Sequence, residues 1–180
     1  MKIRSLLLCL GLASGALAAG EPPQVVLHGT VTTESGEHPA WLTVMCTQGH
    51  GDALSLQLAL VADAAPGFPF DAYEGPGAPA SQQPSAELRV GQQAFASVPV
   101  AGWYSADGPG MFVFGIATTP GQRNTITGAV AALSKPGLTL TWIQNSNNMQ
   151  TPPLMGRFVL DEKQSHALQR IVAPCLPRRR

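Results

Sequence analysis

The sequence predicts a mainly β (α+β) domain, an antiparallel β-sandwich or curled sheet of about seven or eight strands with two short helices. Three observations predict it. Apolar residues alternate with period two over most of the chain, so in "AWLTVMCT" Leu42, Val44 and Cys46 share one face while Trp41, Thr43 and Met45 share the other. Two segments switch to helical spacing: Ile126, Val130 and Leu133 in "NTITGAVAALSKPG", and Leu168, Ile171 and Val172 in "EKQSHALQRIVAP". Two cysteines, Cys46 in a core-facing strand position and Cys175 one step beyond the last helical stripe, stand where a disulfide staples that helix to the sheet.

The elements follow in order. The opening "MKIRSLLLCLGLASGALAAG" has a basic start at Lys2 and Arg4, an apolar run from Leu6 to Leu12 and a small-x-small site at Ala16-Leu17-Ala18. That is the layout of a secretory signal peptide over residues 1–19. The apolar run is shorter than the ~20 residues a bilayer needs, and Leu8 stands before Cys9 where a lipoprotein signal has a small residue. The remaining residues 20–177 read as one domain and Arg178–Arg180 as a basic, solvated tail. "QVVLHGTVTT" is a strand and "ESGEHP" its turn; "AWLTVMCT" and "ALSLQLALV" form a hairpin around "QGHGD". Strands resume at "SAELRVG", "AFASVPVAGWYS" and "MFVFGIATT". After the first helix, closed by Lys135, Pro136 and Gly137, come "LTLTWIQN", the turn "SNNMQTPP", the strand "MGRFVLD" and the last helix, which Pro174 ends.

Between these runs, residues 63–84 ("DAAPGFPFDAYEGPGAPASQQP") are crowded with Pro and Gly and predict a long surface loop. The loop carries Phe68, Phe70 and Tyr73. Two readings are open. The rings anchor a partner together with Trp103 and Tyr104 beside the "SADGPG" turn, or they fold back as a lid over one end of the core.

Composition excludes some classes. Eleven basic residues balance eleven acidic ones; without Lys2 and Arg4 the balance is nine to eleven, which offers no basic field to nucleic acid and no acidic one to calcium. In an oxidising compartment Cys46 and Cys175 have one pairing, and Cys175 follows a helix C-terminus, where the dipole disfavours a thiolate. The bond therefore reads as structural rather than redox-active. Ser105, Asp107 and His166 make a paper triad without a G-x-S-x-G or S-x-x-K motif to place them. His28, His38 and His50, with Met45 and Met111, offer copper-type ligands without metal-site spacing. "GPGAPA" lacks the lysine and helix of a phosphate loop. No catalytic residue, metal or cofactor is assigned.

The order of a short helix, an "LTLTW" strand, an F-x-L segment at Phe158–Leu160 and a closing "ALQRIVAPC" helix is similar to two kinds of small two-cysteine periplasmic protein. These are the invasion-associated locus B-like family and the VasI-like accessory proteins of type VI secretion clusters. "LTVMC" resembles their first cysteine strand. The resemblance covers Trp41–Thr47 and Thr125–Cys175. It departs where Asp161-Glu162-Lys163 stand in place of a glycine and where the 63–84 loop has no counterpart. It implies a β-rich, non-catalytic envelope protein and carries over no active-site residue. The expectation is a non-enzymatic periplasmic or secreted protein that binds a protein of the envelope, as a secretion-system accessory or an inhibitor of a periplasmic toxin. The alternative is an envelope enzyme or copper-handling protein whose site is assembled only in three dimensions.

Overall fold

The computed structural model describes residues 23–47, 53–119 and 123–177. The strands are β1 (Gln24–Thr33), β2 (Gly36–Thr47), β3 (Ala53–Val61), β4 (Pro84–Val90), β5 (Gln93–Ala94), β6 (Val98–Pro99), β7 (Ala101–Tyr104), β8 (Met111–Ala117), β9 (Thr139–Gln144) and β10 (Leu154–Val159). The helices are α1 (Arg123–Leu133) and α2 (Glu162–Val172), the latter followed by a 3-10 turn at Ala173–Cys175. The expected leader at 1–19, His50 and the 178–180 tail lie outside the described residues.

All strands join one antiparallel sheet in the order β5-β4-β9-β10-β1-β2-β3-β8-β7, with β6 also beside β4. The architecture is thus the curled sheet, not the sandwich. The ten strands among the described residues exceed the expected seven or eight because "AFASVPVAGWYS" is broken into β5, β6 and β7. That break closes the sheet. β6 pairs with β4, β7 pairs with β8, and only Val100 separates them. One bent segment therefore ties the two ends of the strand order together, and the sheet curls into a barrel.

Alternation decides what fills it. The register aligns Leu27, Leu42, Leu58, Phe114 and Gly102 across five strands. On the other side it aligns Val31, Gly156, Trp142 and Leu88. All but the two glycines in these rows belong to the buried apolar core. Glycines make room for the largest rings. A Cβ on Gly29 would meet the Arg157 carbonyl and the Phe158 ring, and one on Gly102 would meet the Phe112 ring. The Trp142 indole N–H finds the Gln144 side-chain oxygen at 3.3 Å, and the Gln144 amide donates to Ser85 Oγ at 3.0 Å, so these buried polar groups are partnered.

The connections close both mouths. β3 neighbours β8 while β4 neighbours β9, so the chain from β3 to β4 must cross one mouth; it does so in residues 62–83. The chain from β8 to β9 crosses the other mouth, and α1 lies on that route, packed on β4. α2 follows β10 and packs on β1 and β2 at the same mouth. Its start explains the departure noted above. Asp161 is the N-cap of a reciprocal capping box, accepting from the Gln164 amide at 2.6 Å while Gln164 Oε1 accepts from the Asp161 amide at 3.0 Å. Gln169 Nε2 donates to the Ser134 carbonyl at 2.6 Å, tying α2 to the end of α1. The Cys46–Cys175 disulfide, with Cα atoms 5.9 Å apart, fixes the C-terminal turn to β2.

Candidate functional site

The 62–83 crossover, where the sequence predicts a long surface loop over 63–84, holds three 3-10 turns, at Ala62–Ala64, Phe70–Tyr73 and Pro79–Gln82. Phe68 and Phe70 are 6 % exposed and Tyr73 is fully buried. Of the two readings left open, partner anchors or a lid, this burial is that of the lid. Burial of three large apolar rings outweighs anything they would gain by waiting in water for a partner, at about 1.5–3 kcal/mol for a Phe-sized side chain. Phe68 meets Phe114 edge-on with centroids 5.9 Å apart, and Phe70 meets Phe112 at 4.9 Å. The Tyr73 hydroxyl donates to the Asn145 carbonyl at 2.6 Å. Burial raises the Tyr73 pKa, and hydrogen bonds with Gln144, Asn147 and Ser85 oppose that shift.

Hydroxyls of the β1–β2 turn pin the crossover's start. Thr33 Oγ1 and Ser35 Oγ both donate to the Ala64 carbonyl, at 2.8 and 2.7 Å. The Ala62 amide donates to Gly110 and the Gly75 amide to Gly102.

Trp103 and Tyr104 are exposed, at 37 % and 44 %. Trp103 lies on the outer wall over Gly115, where an added Cβ would come within 2.7 Å of the indole. Tyr104 stands at the rim. Its ring meets Phe112 edge-on at 4.9 Å, and its hydroxyl donates to Asp71 Oδ1 at 3.0 Å. Desolvation raises the Tyr104 pKa first, with the Asp71 hydrogen bond and the charges of Asp71 and Glu74 adding to it.

Two grooves flank the Ala65–Phe68 stretch. One of about 220 Å³ lies against Glu34, Ser35 and the Pro152-Pro153 turn. The other, about 450 Å³, runs between Asp63, Pro69, Asp71 and Tyr104. Pro66 borders both.

The residues considered for chemistry are scattered. Ser105 and Asp107 share one turn beside β7, whereas His166 is on α2 at the other mouth. His28 pairs across the sheet with Trp41 on the outer face, and His38 sits on the inner side at the rim. His38 Nε2 is 2.9 Å from Ser35 Oγ, a hydroxyl already engaged with Ala64. Among the described residues there is no group of three metal-type side chains and no helix long and apolar enough to cross a membrane.

The charge layout went unread in the sequence. Of the nine described carboxylates, six (Glu34, Glu37, Asp63, Asp71, Glu74 and Asp107) lie at the crossover-bearing mouth. The six described Lys and Arg residues lie elsewhere. Arg89, paired with Glu87, and Arg157 are on the wall; Arg123, Lys135, Lys163 and Arg170 are around the helical mouth. A signal was available: no Lys or Arg occurs between Arg4 and Arg89.

Comparison with protein-family models, curated proteins and solved structures returns no match.

Proposed function

We propose that this chain is a non-enzymatic binding protein of the bacterial envelope, exported to the periplasm or secreted, and that its crossover-bearing mouth meets a protein partner. The observation that carries this reading is the division of the barrel. Its interior is occupied by its own side chains, which leaves recognition to the surface, and the grooves beside Pro66 lie at the mouth with the exposed Tyr104. Shape at a rim, built on loops held by a rigid sheet, is a common place for recognition. The disulfide supports an oxidising compartment, in keeping with the leader-like first nineteen residues. The similarity to locus B-like and VasI-like proteins favours a secretion accessory or a toxin inhibitor within this class.

The test is site-specific photo-crosslinking in the cells that make the protein. A photoreactive residue at Pro66 is expected to form an adduct with a defined envelope protein, while one at Val159, exposed on the far wall, forms none. Adducts equally frequent at both positions, or none at Pro66, would sink the reading.

A further inference from the structure

We propose that the segment received at this mouth is cationic: an extended stretch of polypeptide carrying Lys or Arg beside small apolar side chains. The inference rests on the binding-protein reading above and names the chemistry of its partner.

Two features point there. The first is shape and polarity. The larger groove is lined by Ala62, Ala65, Pro66 and Pro69 together with the acidic residues Asp63 and Asp71. Small apolar side chains beside two carboxylates suit a segment that presents cations next to small apolar groups. The second is the field of the whole molecule. A formal net charge of zero conceals six carboxylates at this mouth without a described Lys or Arg among them. Like charges gathered on one face produce a potential that reaches about a Debye length, roughly 10 Å at 0.1 M salt. Such a face attracts a cationic partner and repels an acidic one or an anionic bilayer.

A second copy of this chain is the competing occupant, since its helical mouth carries the opposite sign. That mouth fits poorly. Its described cations, Arg123, Lys135, Lys163 and Arg170, share the surface with Asp161 and Glu162. It presents two packed helices where an extended segment is needed to enter the groove.

The experiment measures binding of fluorophore-labelled short peptides by anisotropy, using an alternating Lys-Val peptide and an alternating Glu-Val peptide as probes. The Lys-Val peptide is expected to bind and the Glu-Val peptide not. Raising salt from about 20 to about 200 mM should weaken binding about tenfold or more. Asp63→Asn with Asp71→Asn should weaken it several-fold; the amide oxygen that replaces the Asp71 carboxylate still accepts from Tyr104 and leaves the rim in place. Lys163→Gln with Arg170→Gln should leave it unchanged. Absence of Lys-Val binding, equal binding of both peptides, or indifference to the Asp63 and Asp71 changes overturns the proposal. Salt-sensitive self-association of the chain also overturns it, assigning the face to a second copy. A Pro66 adduct with a partner that presents no basic segment overturns the cationic inference alone and leaves the binding-protein reading standing.

Discussion

At one mouth of the barrel, two eleven-residue helices pack on the sheet and the turn after the second is held by a covalent bond; at the other, an irregular crossover is held by three rings and a few hydrogen bonds. Helices this short are marginal in water by themselves. The helical mouth relies on an apolar stripe, a capping box and a disulfide linking positions 129 apart in sequence. The crossover has little regular hydrogen bonding to lose. It is held because Phe68, Phe70 and Tyr73 reach the aromatic end of the core, where Phe112 and Phe114 wait. The difference teaches that a Pro-rich segment needs no regular structure to be well placed, provided that its rings are buried. It also leaves grooves between backbone turns, which a packed pair of helices does not.

Removing the disulfide should break the comparison most. Cys46→Ser with Cys175→Ser is expected to cost about 5 kcal/mol on the chain-entropy model. Hydrogen exchange should show α2 losing protection while residues 62–83 keep theirs. Simultaneous loss at both mouths would mean that they are one cooperative unit. Phe70→Ala is the mirror experiment, with an expected loss of ~3–5 kcal/mol in denaturant unfolding. Its exchange should be confined to the crossover, with α2 unaffected. A near-normal unfolding midpoint would contradict the burial of that ring.

The smallest effect is the most specific to the crossover. Tyr73→Phe removes one hydrogen bond to Asn145 and should cost about 1 kcal/mol. It should also change the alkaline limb of stability. The folded protein holds the Tyr73 phenol protonated to higher pH than the unfolded chain does. The associated stabilisation is therefore complete below the unfolded value of about 10 and is lost as pH rises through the folded value. Wild-type stability should fall as pH rises from about 10 towards the folded value, and Tyr73→Phe should flatten the fall. Both tyrosines have raised pKa values, so tyrosinate absorbance should develop late in the native protein and at ordinary pH in the unfolded one. Ordinary native titration would refute the burial account.

Much of the fold was legible because strand and helix periodicity are local. β1 and β3 coincide with the runs "QVVLHGTVTT" and "ALSLQLALV", and the alternating residues Leu42, Val44 and Cys46 are all buried. The disulfide followed from two inward-facing cysteines. Periodicity cannot say which non-sequential strands pair, and that decides the rest. Phe68, Phe70 and Tyr73 are core because β3 and β4 take up distant places in the sheet, forcing their link over a mouth. "AFASVPVAGWYS" breaks because one segment must reach two strands, β4 and β8, to close the barrel. The acidic residues converge because antiparallel strands bring turns from distant parts of the sequence to one end.

Local patterning was enough for the β-rich class, the inward faces and the cysteine pair, since each depends on side chains a few residues apart and on the chemistry of two thiols. The closure of the sheet, the lid role of the aromatic crossover and the separation of charge between the mouths came from the fold in three dimensions. Each of these depends on where a strand ends in space, which is set by pairing across the sheet and by the burial gained when the barrel closes.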